Sequence, residues 1–230
     1  MMISLDMLVE KYSIKTKGVL HCGASTGQEY EAYKRNGFKN IVWVEAIPSV
    51  YEQLAAAITE RYKSSESFPL DYVCELPINA CVSDVDGQEV DFHISNNEGQ
   101  SSSFLPLGVH KEIHPQVDYV SSIKLKTTRL DTLFNIYYPY HHPDMDILGL
   151  LGVDFINFDL QGAELLALKG MGKYLENIKY AYLEVNKRET YVGCALVEEV
   201  DEYLKQYNLH RVETHTWVDD TWTDAFYVKK

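Results

Sequence analysis

The run Ile156-Asn157-Phe158-Asp159-Leu160-Gln161-Gly162-Ala163-Glu164 puts an acid at the end of a strongly apolar stretch. A carboxylate in that setting must emerge into a pocket or be paired, because an isolated charge is not tolerated in an apolar interior. Gly162 then opens a helical pattern with Leu165, Leu166 and Leu168 on its apolar face, and Glu164 suits the positive end of that helix. A second loop, His21-Cys22-Gly23-Ala24-Ser25-Thr26-Gly27, follows another apolar run and is built of small residues that let backbone approach a ligand. Its spacing is G-x-x-x-G, so the dinucleotide fingerprint G-x-G-x-x-G is absent. Glu45 ends Ile41-Val42-Trp43-Val44, 22 residues after Gly23. An acid at that interval can accept both hydroxyl donors of a ribose, and glycine turn and acid together predict a ribose-bearing cofactor.

These residues need strands to carry them, and the hydrophobic pattern supplies strands alternating with helices. Strands are predicted at 18–22, 40–45, 76–82, 155–159, 180–185 and 225–228, and helices at 5–11, 28–36, 48–62, 162–175 and 195–207. Pro48 suits a first helical turn. Residues 84–87 are turn chemistry, 89–95 alternate like an exposed antiparallel strand, and 123–130 are extended. Residues 96–114 are polar and irregular, and two prolines break 137–144. Repeated strand-helix units predict an α/β fold with a mostly parallel sheet covered on both faces and an antiparallel edge hairpin. The length suits one domain over 1–230, with a helical lead-in at 1–17 and candidate substrate loops at 96–122 and 135–152. In such sheets ligands lie beyond the carboxyl ends of the strands, which is where Gly23, Glu45 and Asp159 fall.

Composition narrows the partners. The chain has 230 residues, with 21 Lys plus Arg against 34 Asp plus Glu, for a formal charge of −13. That field repels phosphate backbones and anionic lipid, so neither nucleic acid nor a membrane surface is an expected partner. The longest basic cluster, Lys124 to Arg129, alternates like the outer face of a strand. Cys22, Cys74, Cys81 and Cys194 lie far apart and beside apolar residues, which fits reduced core thiols better than a zinc site or disulfide framework. The first residues lack the basic and apolar regions of a signal peptide, and no stretch reaches the 18 or so apolar residues of a membrane span. A soluble, cytoplasmic protein is expected.

Asp159-Leu160-Gln161-Gly162-Ala163-Glu164-Leu165, followed by Leu168-Lys169-Gly170, resembles the signature of the FkbM family of S-adenosylmethionine-dependent methyltransferases. The first turn, Val44-Glu45-Ala46-Ile47-Pro48, Asn79-Ala80 with the Asp84-Val85-Asp86-Gly87 hairpin, the serine-rich stretch 96–103 and Thr128-Arg129-Leu130-Asp131-Thr132-Leu133 are similar to family elements in the same order. One departure stands out: the family's usual acid two residues before the first glycine is His21 here. The resemblance implies a Rossmann-like class I methyltransferase sandwich, its seven-stranded sheet ending in an antiparallel hairpin. It implies S-adenosylmethionine as cofactor, with Gly23 and Gly27, and by position His21 and Ala24, at its methionine part. Glu45 with Ala46 would take the ribose, and Asn79 with Ala80 would border the adenine. It also implies transfer to a hydroxyl oxygen, of a sugar or glycan in many members.

A hydroxyl is a poor nucleophile unless its proton is accepted as the new bond forms. Asp159 is the first candidate base and Glu184, in Tyr182-Leu183-Glu184-Val185-Asn186, the second, with His21, His141 and His142 as alternatives. A divalent metal on Asp159 and Glu184 is another use of the pair, though no ligand cluster has telling spacing. His110 and His114 lie four apart in a loop context that does not suit zinc. Aromatic faces suit pyranose rings, so the Tyr137–Tyr140 region makes a candidate lid. Ser102, Tyr140, His142 and Gln161 are the candidate acceptor-binding residues. The rival readings are a binding module that has lost the chemistry and, more remotely, a nicotinamide-dependent oxidoreductase.

Overall fold

The computed structural model describes residues 4–64, 73–137, 147–216 and 221–230. Helix α1 (Leu5–Tyr12) leads into β1 (Gly18–Cys22), α2 (Tyr30–Arg35), β2 (Asn40–Glu45), α3 (Pro48–Ser64) and β3 (Cys74–Asn79). A two-residue strand β4 (Cys81–Val82) is followed by β5 (Glu89–Ser95), α4 (His110–Ile113), β6 (Tyr119–Thr128), α5 (Leu130–Tyr137) and α6 (Ile147–Leu150). Alternation then resumes with β7 (Val153–Phe158), α7 (Glu164–Gly170), a 3-10 turn (Gly172–Asn177), β8 (Tyr180–Asn186), α8 (Val197–Lys205), β9 (Leu209–Thr216) and β10 (Trp222–Lys229).

Seven strands form one sheet in the order β3-β2-β1-β7-β8-β10-β9. The first five are parallel, and β10 runs antiparallel to both β8 and β9. The chain builds outward from β1 to β3 and later returns to β1 with β7, which places the switch in strand order between β1 and β7. Their carboxyl ends carry Gly23 and Asp159. A three-stranded sheet, β4-β6-β5, is added beside the large one.

Alternate residues of a strand face opposite sides, so strands covered on both faces must be apolar throughout. Leu20, Val42, Val44, Ile156 and Phe158 pack on one face with α7 and α8, and Val19, Ile41, Trp43 and Phe155 pack on the other with α1, α2 and α3. Each such side chain contributes about 1.5–3 kcal/mol on burial. Trp43 needs a partner for its indole N–H and donates it to Glu75 Oε2 at 3.0 Å. Arg61 of α3 closes the same carboxylate through Nε at 3.0 Å and a second nitrogen at 2.6 Å. This buried pair locks α3 against β2 and β3.

Several predicted boundaries shift for identifiable reasons. The expected strand at 76–82 is two strands, because the Ala80 N–H bonds Glu45 O at 3.0 Å while Cys81 and Val82 pair with Thr127 and Thr128 of the small sheet. The expected helix at 162–175 is α7 plus the 3-10 turn, because Gly172 takes φ +53°, outside the helical region. Helix α2 starts at Tyr30 rather than 28, and the region expected to be irregular contains α4. Cys22, Cys81 and Cys194 are buried free thiols as expected, whereas Cys74 is exposed at the start of β3. Lys124 and Lys126 do face outward from β6. No described helix is long and apolar enough to cross a membrane.

Candidate functional site

The turn after β1 is fixed by backbone. The N–H groups of Gly23 and Ala24 both donate to Val44 O, at 3.0 and 3.1 Å. Gly23 has φ +81°, and a Cβ there would lie 1.8 Å from Asp159 O. Only glycine allows the β1 and β7 loops to meet this closely. Glu45, 7% exposed, turns its carboxylate back onto the same turn: Oε2 accepts the Ser25 N–H at 2.9 Å and Oε1 the Ile47 N–H at 2.8 Å. Burial raises its pKa, and those two backbone donors oppose the rise. Each carboxylate oxygen keeps a lone pair for a hydroxyl donor.

Beyond β7 and β8 a second constellation forms around Gln161. Its side-chain N–H groups donate to Asp159 Oδ1 at 2.5 Å and to Glu184 Oε2 at 2.9 Å, and its carbonyl accepts the Tyr191 O–H. Gln161 therefore has every amide group used, which holds two acids side by side. Burial raises the pKa of Asp159, with the Gln161 bond opposing. Burial, and then the charge of Asp159, push Glu184 well above the carboxylate range. Of the two, Asp159 is the one that opens onto the cleft.

Glu164 is 3% exposed, and its Oε1 accepts the Leu160 and Gly162 N–H groups at 2.8 and 3.2 Å. It stabilises the loop before α7, and burial pushes its pKa to about 7. Among the described residues, Asp159, Glu164 and Glu184 are the one group whose ligand atoms could hold a metal, lying within 4.8 Å of one another. Chain spacing gave no sign of this cluster. One oxygen of each accepts an N–H from the protein: Asp159 Oδ1 and Glu184 Oε2 from Gln161, and Glu164 Oε1 from backbone.

His21 is 3% exposed and rests on the Trp43 ring, centroids 5.3 Å apart. Tyr33 accepts an N–H from Asn157 at 2.7 Å, and its hydroxyl is within hydrogen-bond distance of His21 Nδ1 at 3.1 Å. Burial lowers the His21 pKa to about 4, and the ring is neutral near pH 7. Glu29 Oε2 lies 3.9 Å from the same nitrogen.

Gly23, Glu45, Asp159, Gln161 and Glu184 line one cleft of about 820 Å³. Its far wall is aromatic. His110 stacks on Trp222 at 5.7 Å and 7°, and Tyr191 lies 5.6 Å from His110. The serine-rich loop closes the adjoining edge: Ser95 Oγ donates to Asn97 Oδ1 at 2.6 Å, Asn97 donates to Ser101 Oγ at 2.9 Å, and Ser101 Oγ is 3.2 Å from His110 Nε2.

Of the residues singled out from sequence, His21, Gly23, Glu45, Ala46, Ala80, Ser102, Asp159, Gln161 and Glu184 lie in this cleft. Ala24, Gly27 and Asn79 are not among its lining residues. Asn79 instead donates to Glu45 O and Ala46 O at 2.8 and 3.1 Å and shapes the rim from behind. Tyr140, His141 and His142 lie outside the described residues. Sequence reasoning did not select Glu29, Tyr191, His110 or Trp222 as lining residues. His110 and His114 drew attention only for their spacing, and both face the cleft beside Trp222.

The family model described as the methyltransferase FkbM domain matches residues 21–210. No curated protein matches the chain in sequence. Among solved structures, the chain is similar to an FkbM methyltransferase from Methylobacillus flagellatus KT, with 13% identity and TM-score 0.50 over 93% of this chain, but it spans only 43% of that protein. It is also similar to the magnesium protoporphyrin IX methyltransferase of Synechocystis PCC 6803, solved with bound S-adenosylmethionine, at 7% identity and TM-score 0.50 over 98% of this chain and 76% of that one. An uncharacterised protein from Listeria monocytogenes serotype 4b gives 9% identity and TM-score 0.50, covering 99% and 68%. At these identities the structures speak for the fold, and the matched domain for the family: the chain belongs to the FkbM methyltransferases, a family whose cofactor is S-adenosylmethionine.

Proposed function

We propose that the chain is an O-methyltransferase acting on a hydroxyl of a sugar or glycan. The observation that carries this reading is the Asp159–Gln161–Glu184 unit opening into the same cleft as Gly23 and Glu45. Its volume falls in the range of ligand sites, roughly 300–1,000 Å³. The cofactor fits the residues present: Gly23 leaves no side chain where a ligand must approach the β1 turn, and Glu45 offers two buried acceptors for ribose hydroxyls. When bound, the cofactor supplies an electrophilic methyl group on a sulfonium.

The chain's own work is to position the acceptor and to take its proton. Asp159 is the proposed base, since it is the member of the pair that opens onto the cleft. Gln161 and Tyr191 hold that base in place. Trp222, His110 and Tyr191 offer ring faces against which the apolar face of a pyranose can lie.

The charge of the lining favours an uncharged acceptor. Glu29, Glu45, Glu98, Asp159 and Glu184 all face the cleft, and among the described residues no Lys or Arg does. Residues 1–3, 65–72, 138–146 and 217–220 contain neither Lys nor Arg in the sequence. A phosphorylated or uronic sugar would therefore meet repulsion without a partner from this chain.

The test has two stages. S-adenosylhomocysteine should raise the melting temperature while NAD leaves it unchanged, because only ligands of the native state shift it. Labelled methyl should then pass from S-adenosylmethionine to neutral glycosides in preference to the matching sugar phosphates. Cofactor binding with no transfer to any hydroxylated acceptor would leave a binding module.

A further inference from the structure

We infer that Glu29 receives the α-ammonium group of the cofactor, a role for which the neutral His21 supplies no negative charge. The inference rests on the cofactor assignment above and goes beyond it, to a residue outside the glycine turn and the strand ends.

An ammonium group needs an acceptor, preferably an anionic one. His21 offers no anion: the ring is buried and neutral near pH 7, and its Nδ1 is already engaged with Tyr33 Oη at 3.1 Å.

The other acids of the cleft, Glu98 apart, already accept hydrogen bonds from the protein. Glu45 is bonded to Ser25 and Ile47, Glu164 to Leu160 and Gly162, and Asp159 and Glu184 to Gln161. Glu98 is exposed on the serine-rich loop. Glu29 differs from them all. It follows the glycine turn directly, at the residue before α2, and lines the same cleft as Gly23. Its Oε2 is buried and has no hydrogen-bond partner among the described residues. A buried carboxylate oxygen left without a donor is costly, and such groups call for an explanation. Burial also raises the Glu29 pKa, as expected of an acid whose counter-charge arrives with a ligand. A cation bound at Oε2 satisfies the orphaned acceptor beside the turn that meets the cofactor.

The test is calorimetric binding, so it does not depend on knowing the acceptor. Wild type and Glu29→Gln are each titrated with S-adenosylhomocysteine and with its analogue lacking the α-amino group. Wild type should prefer S-adenosylhomocysteine by about 10- to 100-fold, and Glu29→Gln should lose that preference while binding the analogue as wild type does. An equal loss for both ligands means that Glu29 acts through the structure of the turn, and the assignment falls. It falls equally if Glu29→Gln keeps the full preference. If wild type binds neither ligand, the cofactor assignment itself fails and this inference with it.

Discussion

The two ends of the cleft are built by different means. At the β1–β3 end, the contacts run largely through backbone: Gly23 and Ala24 to Val44, Ser25 and Ile47 to Glu45, and Ala80 to Glu45 O. At the opposite end, side chains hold one another: Ser95, Asn97, Ser101 and His110 in one chain of bonds, and Tyr191, Gln161, Asp159 and Glu184 in another. Backbone contacts tolerate changes of side chain, whereas a side-chain network changes its chemistry with each residue. The first end is thus less sensitive to a change of side chain than the second.

Four substitutions press on this contrast. The largest effect should come from Asp159→Asn, which keeps shape and removes basicity: turnover should fall by about 10²–10⁴ while S-adenosylhomocysteine affinity holds within a few-fold. Turnover at the wild-type rate would move the base to Glu184. Next comes Gly23→Ala at the backbone-built end. The left-handed conformation and the collision with Asp159 O should together cost roughly 2–5 kcal/mol of stability, read by denaturant unfolding. Unchanged stability would mean that the two loops can part, and the contrast between the ends would lose its basis.

His21 gives a pH signature. Folded, its pKa is about 4, against 6.5 for a free histidine, so the unfolded chain binds the extra proton between those values. Its contribution is fully present above about pH 6.5 and is lost as pH falls toward 4, amounting to about 3 kcal/mol in full. Glu164, raised to about 7, acts with the opposite sign: its contribution is present at low pH and fades as pH rises through 7. Only the difference between wild type and His21→Gln isolates the histidine. That difference should open between pH 6.5 and 4, and identical pH profiles would mean His21 is not held neutral. The smallest effect is expected for Glu45→Ala, which should weaken S-adenosylhomocysteine binding by about 1–3 kcal/mol in calorimetry. Undiminished affinity would place the ribose elsewhere.

The same contrast decides what could be read from sequence. β1, β2 and β5 were legible to the residue, because continuous apolar or alternating runs with turn residues at their ends leave little choice. Glu45 and Asp159 followed, as strand-end acids in an α/β sheet. The aromatic wall of the cleft did not. Tyr191 sits in the loop after β8, His110 in a one-turn helix and Trp222 at the start of the last strand, and nothing in local spacing says that they meet. Glu29 was not singled out, and its orphaned oxygen is visible only once the fold is in place. The break at Ala80 was hidden because an apolar run reads the same whether its residues serve one sheet or two.

That break has a mechanical side. Ala80 belongs to the large sheet through its amide, while Cys81 and Val82 belong to the small one, and all three line the cleft. A rotation of one sheet against the other would alter the width of the cleft along this seam, with the peptide at Ala80 as its pivot. A ligand that spans the seam selects one angle between the sheets. Amide hydrogen exchange at Ala80 reads this motion, and slower exchange with S-adenosylhomocysteine bound is the expected result. An exchange rate indifferent to the ligand would mean that the two sheets already turn as one body.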